Sequence, residues 1–211
     1  MFKLTGWIWK VSTITLLVLS GVVILTWKIG TGTSEVDSIE GKRYRLIRST
    51  EWAIPIEKEG LPNFHKVSEN LYRGAQPTAT GIGQLKKMGI KTIINLRSFH
   101  SDRDEIGNVV IGYEHIYMKA WHPEEKEIVK FLKTVTDKTK TPVFVHCQHG
   151  ADRTGLMCAI YRVAICGWLK EAAADEMVYG GYGFHSVWKN LINYFMNLDI
   201  EKIKKEALSE E

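Results

Sequence analysis

The chain has 211 residues, 45% of them apolar, and its 28 Lys and Arg against 24 Asp and Glu give a formal net charge of +4. That supports one compact domain with an appendage, and the charge is too mild for the dense basic face of a nucleic-acid binder, so no nucleic-acid partner is expected. Three cysteines do not make a disulfide framework.

The appendage comes first. Residues 11–27 (VSTITLLVLSGVVILTW) run for 17 residues without a charge, between Lys3 and Lys10 on one side and Lys28 on the other. This length falls within the ~17–25 residues of a membrane-spanning helix, and Trp7, Trp9 and Trp27 lie at its ends, where interfacial tryptophans belong. The run exceeds the usual h-region of a removable signal, and TWKIGTGTS offers no good A-x-A match for a cleavage site. An uncleaved anchor over residues 1–29 is therefore expected, with a cleaved signal as the alternative. Lys3 and Lys10 compete with Lys28, Lys42, Arg43, Arg45 and Arg48 across the span, so charge alone leaves the orientation open. Residues 30–60 turn polar and read as a linker.

Beyond it the pattern alternates. TIINL at 92–96, YEHIYM at 113–118 and VFV at 143–145 read as strands, and helical periods cover 80–88, 124–136, 154–166, 170–178 and 185–198. This order predicts an α/β fold, a central mostly parallel sheet flanked by helices, over residues 61–205, with a charged tail at 206–211. The all-apolar VFV predicts a central strand buried on both faces. At its carboxyl end, where open α/β sheets place their ligands, stands HCQHGADRTG, residues 146–155.

Five residues between Cys147 and Arg153 allow the backbone of Gln148, His149, Gly150, Ala151 and Asp152 to curl around one tetrahedral anion, with N–H groups turned inward. The following helix adds its partial positive charge, Gly150 permits a conformation closed to side chains, and Arg153 offers a planar fork for phosphate oxygens. The same positive field favours a thiolate at Cys147. His146 is expected to orient the loop, and the Thr154 hydroxyl is placed to donate to the sulfur.

At these residues the chain resembles the cysteine-dependent protein tyrosine and dual-specificity phosphatases, whose signature is H-C-x5-R-[ST]. The likeness runs over residues 61–199: ENLYRGAQPTATGIGQLKKMGIKTIINLR (69–97) is similar to the opening hairpin, first helix and central strand of the compact dual-specificity enzymes, and GWLKEAAADEMVYGGYGF (167–184) to a bacterial subgroup with exported members. The resemblance implies attack of Cys147 on phosphorus, a phosphocysteine, stabilisation of the equatorial oxygens by Arg153, hydrolysis by water, and no cofactor or metal. It also implies a phosphorylated protein, small molecule or lipid as partner, with the catalytic domain outside the inner membrane, facing the periplasm.

The family's general acid is an aspartate in the loop after the strand corresponding to YEHIYM. Here that loop, KAWHPEEKE, contains none. His122, Glu124, Glu125 and, inside the cradle, Asp152 remain as alternatives. A weak acid suffices better for an aryl than for an alkyl leaving group, which favours phosphotyrosine over a phosphoinositide or inositol phosphate; an idle phosphate-binding module is the remaining alternative. His100, Asp102, Arg103 and Asp104 follow TIINLRS at its carboxyl end and read as a solvated loop, with lining of the pocket as the alternative; Cys158 and Cys166 read as core, and the aromatics and glycines of 179–184 as a pocket edge or as loop packing.

Overall fold

The computed structural model describes residues 51–209. Six strands form one sheet in the order β1-β2-β3-β6-β4-β5: β1 (Ile54–Pro55), β2 (His65–Lys66), β3 (Leu71–Gly74), β4 (Thr92–Asn95), β5 (Gly112–His115) and β6 (Val143–His146). β3, β6, β4 and β5 pair in parallel, while β1 and β2 add antiparallel strands at one edge. The α/β expectation with a mostly parallel sheet holds.

Alternation along the central strands divides the core into two layers. Ile93 of β4 and Phe144 of β6 face one side and meet Ile82 and Leu85 of α1 (Ala79–Lys87). Their neighbours Ile94, Val143 and Val145 face the other side. There they meet α3 (Glu125–Thr136), α4 (Asp152–Ala164), α5 (Lys170–Tyr179), α6 (Lys189–Asn197) and α7 (Ile200–Leu208). α4 is apolar nearly all round and runs through this layer, with Leu156, Met157, Cys158, Ala159 and Ile160 all buried. A one-turn helix, α2 (Arg103–Ile106), follows β4.

The structure moves several expected boundaries. Glu51 to Gly60, assigned to a linker, belongs to the fold: Ala53 is buried and its N–H donates to Glu176 Oε1 at 2.7 Å, and β1 lies within this stretch. Strands of two residues are too short to carry a readable period. At the other end α7 reaches Leu208 and buries Ala207, so the charged tail begins later than residue 206. The predicted helix 185–198 starts as a single 3-10 turn, Ser186–Trp188. Cys166 lies past the end of α4 and is exposed, so only Cys158 of that pair is core; burial pushes the Cys158 thiol up to about 11. The expected anchor at residues 11–27 lies outside the described residues, and among the described residues no helix is long and apolar enough to cross a membrane.

What positions the site is the shared register of the three central strands. Gly74, His146 and Asn95 end β3, β6 and β4 side by side, so the loops that follow all open at one edge of the sheet.

Candidate active site

The loop from Cys147 to Asp152 is held from outside by its carbonyl groups. Gln148 O accepts from the backbone N–H of Gln76 at 3.2 Å, His149 O from Asn63 Nδ2 at 2.9 Å, and Gly150 O from Arg73 Nη2 at 2.7 Å. Because each peptide unit is planar and trans, three consecutive carbonyls turned outward leave the N–H groups of His149, Gly150 and Ala151 turned the opposite way, an arrangement compatible with an anion nest. Gly150 is required twice over. Its φ is +70°, and a Cβ there would come within 2.5 Å of the Gly74 carbonyl group. α4 starts at Asp152 and points its N-terminus at the same space.

Cys147 is 2% exposed and sits at the base of this loop. His146 beside it is fully buried; its Nε2 is 2.7 Å from Asp102 Oδ2 and its Nδ1 is 3.2 Å from the Cys147 carbonyl. Both ring nitrogens thus face oxygen acceptors. Asp102 is fully buried too, with Oδ1 accepting from Asn95 Nδ2 and Gln76 Nε2, each at 2.9 Å. Burial alone would raise its pKa, but the hydrogen bond and charge of His146, with Gln76 and His100, hold it below the usual carboxylate value. The reading of Asp102 as part of a solvated loop is corrected here. It is the carboxylate that orients His146.

Arg153 Nη1 donates to Leu96 O at 3.3 Å and Met118 O at 3.4 Å, and no hydrogen bond among the described residues engages Nε or Nη2. Thr154 Oγ1 is buried and has no partner among the described residues; the expected bond to the sulfur is not formed. Arg73 was not anticipated. Its guanidinium lies 3.6 Å from the centre of the Tyr182 ring, and its Nε and Nη1 are buried without hydrogen-bond partners among the described residues. A signal existed: an arginine inside the apolar strand LYRG needs a buried reason.

The four acid candidates separate clearly. Glu124 caps α3 reciprocally with Glu127 and pairs with Lys126 at 2.6 Å; the Lys126 hydrogen bond lowers its pKa. Glu125 Oε2 pairs with Lys202 at 2.8 Å. His122 closes a turn through its N–H to Lys119 O and lines an open groove with Trp121, Asn190 and Tyr194; none of its contacts among the described residues is to the cradle. Asp152 is part of the loop and is held by His185, whose backbone N–H donates to Oδ1 and whose Nδ1 lies 2.8 Å from Oδ2. Phe184 and Trp188 pack against the main core, so the segment bearing His185 is fixed beside the loop. The sequence gives no period or spacing from which the Asp152–His185 contact follows.

A sequence profile described as "DSP-PTPase phosphatase fused to NAD+ Kinase" matches residues 57–186, which takes in every element of the cradle. The chain belongs to this phosphatase family. It is 29% identical over 158 residues to the dual specificity protein phosphatase TpbA of Pseudomonas aeruginosa, covering 74% of this chain and 71% of the relative. The crystal structure of TpbA superposes with a TM-score of 0.68 at 28% identity, over 77% of this chain and 99% of that one. TpbA has also been solved, as a cysteine-to-serine variant, in complex with phosphotyrosine, and that structure superposes equally well. The core catalytic domain of the PP-IP phosphatase SIW14 from S. cerevisiae shares the fold, with a TM-score of 0.59 at 18% identity over 74% of this chain and 99% of that one. An inositol diphosphatase of Arabidopsis thaliana is 23% identical over 125 residues, 54% of this chain and 60% of the relative. The chain is a cysteine-dependent phosphatase of the dual-specificity type, acting on a phosphorylated substrate.

Proposed function

We propose that the enzyme hydrolyses phosphotyrosine in proteins, with phosphoserine and phosphothreonine as slower substrates, and that Cys147 and Arg153 carry the reaction. The observation that carries this reading is the outward anchoring of three consecutive loop carbonyls around Cys147. It supports a single-anion cradle with the Cys147 thiol at its base, just before the N-terminus of α4. The Cys147 thiolate attacks phosphorus, the bond to the tyrosine oxygen breaks, and that oxygen takes up a proton. Water then attacks the phosphocysteine, the P–S bond breaks, and phosphate and thiolate are released. Arg153 and the loop N–H groups follow the equatorial oxygens through both steps. His146, held by Asp102, is a positioning residue for the loop.

We place delivery of the proton at Asp152, paired with His185. It is the one acid candidate inside the loop, whereas Glu124 and Glu125 pair with Lys126 and Lys202 and His122 lines a separate open groove. Asp152→Asn should slow an alkyl phosphate by about 10²-fold and an aryl phosphate far less. Equal rates with both substrates, together with selective slowing in His122→Ala, would move the acid to His122.

Substrate class is tested by a panel of phosphotyrosine peptides, phosphothreonine peptides, soluble phosphoinositides and inositol pyrophosphates. Phosphotyrosine should give the highest kcat/KM, and turnover of inositol compounds alone would overturn the protein-directed reading. For location, we propose that residues 11–27 anchor the chain in the inner membrane with the catalytic domain, residues 61–205 extended to the boundaries described above, in the periplasm. The apolar run and its flanking tryptophans support this reading. In a Gram-negative host the full chain should resist carbonate extraction and be digested by protease added to spheroplasts; a soluble or protected chain contradicts it.

A further inference from the structure

Three segments bring metal-type donors to one point on the rim of the cradle. His149 comes from the loop after β6, Asp152 from the first turn of α4, and His185 from the segment after α5. One ligand atom of each lies within 4.8 Å of the other two. The two imidazole rings are 5.3 Å apart and tilted by 57°, so they are not stacked face to face. Asp152 is the fixed member: its side chain is 8% exposed and both carboxylate oxygens are already bonded to His185. The histidines are the adaptable members, His149 exposed and the His185 side chain 47% exposed.

We infer that His149, Asp152 and His185 form a binding site for a borderline divalent cation of the Zn2+ class at the mouth of the phosphate cradle. Two imidazoles and one carboxylate are a donor set suited to zinc, and three protein ligands leave a fourth position open to water or an anion. Bonds of about 2.1 Å to a tetrahedral ion place ligand atoms roughly 3.4 Å apart. Closing from the present separations of up to 4.8 Å to that spacing calls for movement of the two exposed histidines towards the buried Asp152. The ion takes the place of the proton between His185 Nδ1 and Asp152 Oδ2 and fastens the segment after α5 to the catalytic loop. The partial positive charge at the start of α4 opposes a cation there, but this is a weak field against three coordination bonds. The other cluster of metal-type donors, His100, Asp102 and Glu105, is unsuited: the Asp102 oxygens are committed to His146, Asn95 and Gln76.

The inference does not depend on Asp152 delivering a proton, because its test reads metal and not turnover. The full chain, detergent-solubilised, is titrated with Zn2+ in competition with a chromogenic chelator, and with Co2+ while the visible absorption is followed. One Zn2+ per chain, a tetrahedral Co2+ spectrum and a rise in Tm with Zn2+ are expected. His149→Ala and His185→Ala should each weaken Zn2+ binding by tenfold or more and abolish the Tm rise. The metal-free melting curve of each variant confirms that it folds. Cys147→Ser should bind Zn2+ as the natural chain does. Three results overturn the site: no stoichiometric binding, binding untouched by both histidine variants, or binding lost in Cys147→Ser, which would place the ion on the thiolate.

Discussion

Among the described residues, two buried pairs of a carboxylate with a nitrogen base serve different ends. Away from the cradle, Arg162 of α4 meets Glu176 of α5 in a bidentate pair, with Nε to Oε2 at 2.7 Å and Nη2 to Oε1 at 2.9 Å. The pair is tied in further: the Arg162 fork also donates to Val67 O and Glu51 O and lies 4.2 Å from the centre of the Trp168 ring, while Glu176 accepts from Ala53 N and the Tyr182 hydroxyl. This cluster clamps the start of the fold onto two helices. At the cradle, the His146–Asp102 pair is equally buried, and Asp102 also accepts from Asn95 and Gln76, so this pair fixes the base of the loop and not the helices.

This contrast predicts variants that separate activity from stability. Cys147→Ser should lower turnover of an aryl phosphate by about 10⁴-fold or more while leaving the thermal midpoint in place; a parallel loss of stability would make Cys147 a core residue. Arg153→Lys keeps the charge and loses the fork, and kcat should fall by roughly 10²–10³-fold. Glu176→Gln inverts the pattern. Removing one charge of a buried pair costs about 3–5 kcal/mol, seen as a lower denaturant midpoint, with kcat nearly unchanged under conditions where the variant is folded.

The Asp102 pair adds a pH dependence. Its folded-state pKa lies below the unfolded value of about 4 because His146 and its other partners outweigh burial. The ionised carboxylate therefore adds stability above about pH 4, and that contribution is lost as the pH falls through the folded value. Asp102→Asn should flatten the acid limb of a stability-against-pH curve. The smallest effect belongs to His122→Ala, for which we expect a change in kcat of at most about twofold, since a surface side chain outside the reacting geometry contributes little.

The same contrast explains what the sequence reveals. The cradle was legible because its chemistry is local: Cys147, Gly150 and Arg153 lie within seven residues, and the apolar VFV before them announces a buried strand. The long-range members were not. Asp102 reaches His146 across 44 residues and Asp152 reaches His185 across 33, and nothing in a loop sequence tells a buried aspartate from a solvated one. Arg73 stood between, since a charge inside a short apolar strand marks a buried partner without naming Gly150 as that partner. The edge strands escaped for a simpler reason. Two residues each, as in Ile54–Pro55 and His65–Lys66, present no alternation to read.

The most direct test of the central claim is to trap the intermediate. The enzyme is mixed with a radiolabelled phosphotyrosine peptide, quenched in acid within the first turnover, digested and mapped. Label on the peptide containing Cys147, chased to free phosphate when the quench is delayed, is the predicted result. Turnover without labelled Cys147, or label that persists in Cys147→Ser, would contradict the account.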